Sequence, residues 1–234
     1  MNELKCLYRG KTKDVYDLPG GRALLHFKDD VTGADGVFDP GANTVGLTIE
    51  GVGKANLKMS AYYFELLEKM GIATHYIACD ADAGTMEVVR ARPIGQGLEV
   101  ICRYRAVGSF IRRYGAYIEE GAPLDAYVEM TLKDDAKGDP LITQDGLAAL
   151  QIMDEQAYAR VRDLTRRIAG AIRDDLARRG MELYDIKLEF GTADGAFLLI
   201  DEVSSGNMRV MKDGRYMAPE ALTAAVLRGE GGHA

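Results

Sequence analysis

Positive charge, histidine, cysteine and long apolar runs are all scarce in this 234-residue chain, and each shortage removes a class of function. Lys and Arg number 29 against 36 Asp and Glu, a net charge of −7, so general attraction to nucleic acid or anionic lipid is not expected. An anionic substrate would need a local basic pocket. The three cysteines, Cys6, Cys79 and Cys102, are odd in number and widely spaced in apolar, strand-like contexts, which disfavours a disulfide framework or a zinc site. All three read as buried thiols in a reducing cytosol. Of the three histidines, His26 and His75 sit in apolar strand patterns and read as structural, and His233 lies in a Gly-rich tail, so histidine-based catalysis has little material. No stretch approaches the roughly 20 apolar residues needed to span a bilayer, and MNELKCLYRG lacks the apolar run of a signal peptide, so a cytoplasmic protein is expected.

What is present is an ordinary globular balance, 47% hydrophobic and 28% charged, with no internal repeat, heptad or low-complexity segment. Short strands are expected around Lys5 to Tyr8, Asp14 to Asp17 and Arg22 to Lys28. A long Gly-rich loop, GVFDPGANTVGLTIEGVGKAN, follows, and loops of that length usually serve a site or a lid. Apolar residues at Met59, Tyr63, Leu66, Leu67 and Met70 predict a helix over 55–70 with Gly71 as its C-terminal cap. Strands follow at Thr74 to Cys79, Met86 to Arg90 and Leu98 to Tyr104, with a candidate domain boundary in the acidic DADAG of 80–84. The clearest helix runs from Glu155 to Arg179, with Val161, Leu164, Ile168, Ile172 and Leu176 on one face, Asp154 as N-cap and Gly180 as the stop. YDIKLEFG and AFLLIDEV then flank an Asp194-Gly195 hairpin signal. Strands arriving in runs indicate an α+β fold with antiparallel sheets.

Three segments could carry chemistry. In Ile186 to Phe190 the side chains alternate, so Lys187 and Glu189 share a face, while the apolar partner strand stops at Asp201-Glu202. Glu189 and Asp201 on adjoining strands suit magnesium, which takes oxygen ligands and keeps room for substrate phosphates. A cross-strand ion-pair network of Lys187, Glu189 and Asp201 accounts for the same residues equally well. LYRGKTKDVY tempts comparison with a Walker A loop, but Lys5 stands where that motif needs its first glycine. It reads as a strand, a glycine turn and a second strand, with Gly10, Lys11 and Lys13 placed to lie over a polyphosphate or simply to form a basic surface turn. GVGKAN lacks the last glycine of a dinucleotide fingerprint. In CRYRAVGSFIRR, four arginines and a Gly-Ser step at a helix start would make a phosphate pocket. A solvated helix end explains Arg112 and Arg113 as well, but explains Arg103 poorly.

Taken in order, LYRGKTKDVY, FKDDVTGADG, GVGKAN, CRYRAVGSFIRR, LKDDAKGDPLI, DIKLEFG and IDEVSSGNMR resemble the SAICAR synthetase family, over roughly residues 4 to 217. The resemblance implies a two-domain α+β fold with ATP between the domains: residues 1–82 a β-rich nucleotide-binding domain with one helix, and 83–234 a larger substrate- and metal-binding domain including the C-terminal helix. It implies ligation of L-aspartate to carboxyaminoimidazole ribonucleotide (CAIR), giving SAICAR, ADP and phosphate in purine biosynthesis, with ATP and Mg2+ as cofactors, small molecules rather than nucleic acid or membrane as partners, and a homo-oligomer, a dimer. By carry-over Lys11 and Lys13 contact phosphate, Glu189, Asp201 and Lys187 serve nucleotide and metal, and Arg103, Ser109, Arg113 and Arg209 hold the ribonucleotide. Asp35 lines the substrate site, and Lys133, Asp135 and Asp139 fall in a lid-like segment. Lys13, Asp35, Arg103 and Arg209 are the residues on which catalysis is expected to depend.

One departure stands out. Where the family has Ser-Pro-Asp after Asp-Glu and an apolar residue, this chain has Ser204-Ser205-Gly206, as a divergent branch would, and the missing carboxylate leaves the amine donor open. A small-molecule kinase shares the Gly-rich turn, lysine and paired carboxylates, and a nucleotide-binding module without turnover would retain them too.

Overall fold

The computed structural model describes residues 4–34, 37–38 and 45–228. They form two compact units. The first comprises the described residues within 1–91, 202–207 and 218–234, and the second residues 92–201 and 208–217. The acidic 80–84 segment, expected as a boundary, is instead a hairpin turn inside the first unit, closed by the Asp80 carboxylate accepting from the amides of Asp82 and Ala83. The C-terminal helix Pro219–Leu227, expected in the second domain, belongs to the first unit because its apolar residues Leu222 and Val226 are buried where it packs on the long helix there.

In the first unit β1 (Cys6–Arg9), β2 (Lys13–Leu18) and β3 (Arg22–Phe27) run as an antiparallel meander. A three-stranded ribbon follows, β4 (Asp30–Ala34) between β5 (Val37–Phe38) and β6 (Val45–Thr48). So the described parts of the expected long loop carry strands, because Val45 to Thr48 pairs with Asp30 to Thr32. Helix α1 (Val52–Lys69) starts three residues before the expected position. Its first turn is fixed by the Asp29 carboxylate, which accepts from the amides of Gly51 and Gly53 at 2.9 Å each. That carboxylate already occupies the helix N-terminus, so GVGKAN is a packing element rather than an anion loop. Gly53 must lack a side chain, since a Cβ there would lie 2.6 Å from the Lys28 carbonyl oxygen. Strands β7 (Tyr76–Asp80) and β8 (Thr85–Val89) complete a sheet of order β1-β2-β3-β8-β7. The core of this unit is Leu57, Met59, Tyr63, Phe64 and Leu67 of α1 against Leu25, Phe27, Met86 and Val88, while Met70, expected on the buried stripe, is exposed. His75 is buried against the Phe64 ring, as a structural histidine should be.

The second unit is built on β9 (Arg92–Pro93), β10 (Leu98–Arg105), β11 (Pro123–Leu132), β12 (Leu141–Ile142), β13 (Glu182–Ala193), β14 (Ala196–Ile200), β15 (Met208–Lys212) and β16 (Arg215–Tyr216), with β11, β10, β13 and β15 adjacent and antiparallel. Helices α2 (Ser109–Tyr114) and α3 (Gln144–Ala149) are short, and α4 (Glu155–Arg178) is the long one. Asp154 caps α4 by accepting from the Ala157 amide at 2.7 Å, and Gly180, at φ 70°, ends it. The buried stripe of α4 runs through Val161, Thr165, Ile168, Ile172 and Leu176. Thr165 takes the place expected of Leu164 by turning its hydroxyl onto the Val161 carbonyl, 2.7 Å away. The β13–β14 hairpin turns at Asp194-Gly195 with φ of 50° and 79°, the positive pair a two-residue hairpin turn demands.

Pairing register decides what this sheet shows on each side. Val100, Cys102, Met130, Ile186, Leu188 and Met208 share one face, and α4 contacts β10, β11 and β13. The opposite face carries Glu99, Arg103, Glu129, Thr131, Asp185, Lys187, Glu189 and Arg209. Among the described residues no helix is long and apolar enough to cross a membrane.

The cysteines do not share one environment. Cys102 is buried in the α4-facing layer, Cys6 is half-buried and Cys79, on β7, is exposed, so the expectation of three buried thiols holds for one. Burial pushes the Cys102 thiol up to about 12. The folded protein should therefore lose two thiols to iodoacetamide at neutral pH and the third only in denaturant, counted by mass spectrometry. Rapid labelling of Cys102 in the native state would contradict this packing.

Candidate active site

The charged face of the large sheet falls into two clusters. At one end Arg103, 2% exposed, sits between strands and uses all five of its N–H groups. Nε and Nη2 donate to Glu129 Oε1 at 3.1 and 2.7 Å, and Nη2 also donates to Ser109 Oγ at 2.8 Å. Nη1 donates to Asp185 Oδ2 at 2.5 Å and to the Val107 carbonyl at 3.3 Å. Arg103, expected to touch substrate, is thus saturated within the protein. Two further arginines hang on the same carboxylates: Arg209 donates to Asp185 Oδ2 at 2.8 Å, and Arg113 to both oxygens of Glu129 at 2.6 and 2.5 Å. Their side chains are more open than that of Arg103, at 19% and 28% exposure against 3%. Gly108 explains the Gly-Ser step. Its φ of 58° suits glycine, and a Cβ there would meet the Arg209 guanidinium at 2.8 Å. Helix α2 has only six residues, so the guanidinium groups rather than a helix dipole supply the positive charge.

At the other end Lys187 donates to Glu99 Oε1 at 2.6 Å, and Thr131 donates to the other Glu99 oxygen at 3.2 Å. Lys133 donates to Glu189 Oε1 at 2.7 Å. Within the ion-pair network anticipated for Lys187, Glu189 and Asp201 the hydrogen bonds go to added partners, Lys187 to Glu99 and Lys133 to Glu189, while Lys187 and Glu189 still attract each other. Glu189 pairs in register with Ile200, so Asp201 follows directly at the end of β14, in a left-handed conformation with φ 68°. Burial and the Asp201 carboxylate both raise Glu189 above the ordinary carboxylate range. Burial alone would depress Lys133, but Glu189 and Asp201 outweigh it and raise its ammonium. Two interacting carboxylates beside a lysine are oxygen donors of the kind that could hold a hard cation. Among the described residues no group of three or more His, Cys, Asp or Glu is placed to cage a metal unaided. Of the lid-like residues, Lys133 reaches this cluster, whereas Asp139 Oδ1 accepts from the Asp134 amide at 2.8 Å and shapes its own turn. Asp135 opens a single exposed turn, Asp135–Lys137.

In the first unit the Gly10 turn closes with the Gly10 amide donating to the Lys13 carbonyl at 2.8 Å, and a Cβ on Gly10 would lie 2.6 Å from that oxygen. Lys28 caps the turn by donating to the Gly10 carbonyl at 2.6 Å. Lys11 is half-buried in it. Lys13 is not a surface lysine: it is buried and ion-paired with Glu202. Asp35 lies outside the described residues.

Glu99, Glu129 and Asp185 anchor the two charged clusters and were not singled out from the sequence. Their signal was the alternation of charged residues in EVICRYR, VEMTLK and DIKLEF, each with an apolar face behind it.

Residues 6–225 match the model of the SAICAR synthetase family. The chain belongs to the SAICAR synthetase family. A phosphoribosylaminoimidazole-succinocarboxamide synthase of Clostridium tetani is 54% identical over 226 residues, spanning 96% of this chain and 100% of that one. One from Finegoldia magna is 36% identical over 88% of this chain and 85% of its own. Among solved structures, a type-2 SAICAR synthetase in complex with ADP is 29% identical with a TM-score of 0.80, covering 97% of this chain and 91% of that one. A type-1 SAICAR synthetase from Pyrococcus horikoshii superposes with a TM-score of 0.77 at 28% identity, covering 94% and 91%. The α+β architecture expected from the sequence is that of these SAICAR synthetases.

Because Asp185 Oδ2 serves both Arg103 and Arg209 in a buried setting, Asp185→Asn should cost about 3–5 kcal/mol in urea unfolding. A loss below about 1 kcal/mol would mean that the arginines do not depend on it.

Proposed function

We propose that this chain joins L-aspartate to CAIR at the expense of ATP, forming SAICAR, ADP and phosphate in de novo purine biosynthesis. The observation that carries this is the family match over residues 6–225, together with a relative 54% identical along its entire length. The enzyme is an ADP-forming carbon–nitrogen ligase, and the kinase and non-catalytic alternatives give way to it.

The chemistry explains the residues. A carboxylate acylates poorly because its leaving group would be an oxide. Attack of a CAIR carboxylate oxygen on the γ-phosphorus expels ADP and leaves an acyl phosphate; addition of the aspartate amine to the carbonyl then expels phosphate, and the amine loses its protons. Such a sequence needs positioning and charge compensation more than a protein nucleophile. Glu189 and Asp201 are the magnesium ligands in this reading, supported by their mutual repulsion and oxygen donors. Magnesium bound there supplies positive charge to phosphate oxygens. Lys133 donates to Glu189 and Lys187 to Glu99, so both lysines add positive charge beside the carboxylates. Lys13, with Lys11 and Gly10 of the same turn, faces the nucleotide phosphates. Arg209, Arg113 and Ser109 hold the anionic ribonucleotide, with Arg103 as the brace that aims them. Asp35, Asp135 and Asp139 keep the substrate-lining roles the resemblance implies. The enzyme works in the cytoplasm, as a dimer.

Purified protein given ATP, magnesium, CAIR and aspartate should release ADP and form SAICAR only when all four are present, followed by coupled ADP release and mass spectrometry. ADP release that is indifferent to aspartate would defeat the assignment. Glu189→Gln and Asp201→Asn should each lower kcat/KM at least about a hundredfold and raise the magnesium concentration needed for half-maximal rate.

A further inference from the structure

Residues 202–207 turn every polar side chain inward. Glu202 Oε1 accepts from the buried Lys13 Nζ, and Glu202 Oε2 accepts from Ser204 Oγ at 2.6 Å. The Ser204 hydroxyl oxygen accepts in turn from the Gly206 amide at 3.0 Å. Asn207 closes the turn twice, donating from Nδ2 to the Glu202 carbonyl at 2.7 Å and accepting at Oδ1 from the Ser204 amide at 2.9 Å. Ser205 donates to Asn56 Oδ1 of α1 at 2.7 Å, and the Val203 amide donates to Ser60 Oγ of the same helix at 3.2 Å. Ser204 and Ser205 are 0% and 1% exposed.

A buried ion pair is weak evidence for stability, because desolvating both charges offsets their attraction. Fastening both carboxylate oxygens, then fastening the residue that holds the second, makes sense when direction matters more than stability. A lysine carries its charge on a flexible four-carbon stem, and any use of that charge on a phosphate requires the stem to be held. Here the Phe27 ring lies 5.3 Å from the ammonium, which donates to Glu202 and, at 3.3 Å, to Thr12 Oγ1, and Glu202 is its charged partner.

We propose that Glu202, braced by Ser204, is a positioning residue that aims the Lys13 ammonium at the nucleotide phosphates. Ser204 to Gly206, where the chain departs from its family's Ser-Pro-Asp, then serves Lys13 and α1 rather than the amine donor. The inference rests on Lys13 as a phosphate contact.

Glu202→Gln and Ser204→Ala, tested in the full chain beside Lys13→Met and the parent, separate these ideas. Glu202→Gln should weaken ADP binding by calorimetry and raise the KM for ATP about tenfold, the scale of one charge-assisted contact, with the KM values for CAIR and aspartate unchanged. Ser204→Ala should shift the same two quantities in the same direction by about threefold, since it loosens one neutral hydrogen bond to the brace. Unaltered ADP affinity in both variants, or a rise in the KM for aspartate instead, overturns the proposal. Should Glu202→Gln fail to fold, Ser204→Ala decides, because it keeps the ion pair. Lys13→Met with parental ADP affinity would instead sink the phosphate role of Lys13 itself.

Discussion

A guanidinium shut away from water must place each of its N–H groups on an acceptor, and Arg103 does so on four different partners from three separate stretches of chain. Much of the second unit follows from that requirement. Glu129 on β11 and Asp185 on β13 must lie on the same side of β10 as Arg103, which fixes the register of three strands. Register in turn sends Val100, Cys102, Ile186 and Leu188 to the side that α4 covers. A slip of one residue would exchange the two faces, burying carboxylates against Ile168 and Ile172, so the charged cluster and the apolar core enforce each other.

The same carboxylates that complete Arg103 reach outward to Arg113 and Arg209. Positive charge at the more open end of the cluster is therefore held in place by negative charge at its sealed end. At the other end Lys133 donates to Glu189, whose carboxyl is raised by burial and by the neighbouring Asp201 carboxylate. One sheet face thus carries a cluster with open guanidinium groups at one end and a carboxylate–lysine cluster at the other.

Lys13 in the first unit follows the rule seen at Arg103. A cation taken out of water brings its own carboxylate, Glu202, and the segment after it is shaped around that need. Asp29 at the start of α1 is the converse case, a carboxylate that satisfies two orphan amides and so removes a helix N-terminus from the list of anion sites.

Local pattern was enough to expose α4, its Asp154 cap, the Asp194-Gly195 hairpin, the strand alternation that pairs Lys187 with Glu189 on one face, and the arginine-rich Gly-Ser step, since each depends on residues a few positions apart. Which charge meets which was not legible. Lys187 and Glu189 are neighbours on one strand, yet Lys187 goes to Glu99 and Glu189 to Lys133, choices made by strand order across the sheet. Lys13 looked like an open basic turn and is buried because a segment far along the chain folds back to meet it. The C-terminal helix, remote in sequence from α1, packs on it because both present apolar faces that contiguous chain cannot cover. Sequence alone determined the elements, the ordered motifs and so the family; tertiary structure decided the partners, because ionic and apolar contacts depend on distance in space and these are made between residues far apart in the chain.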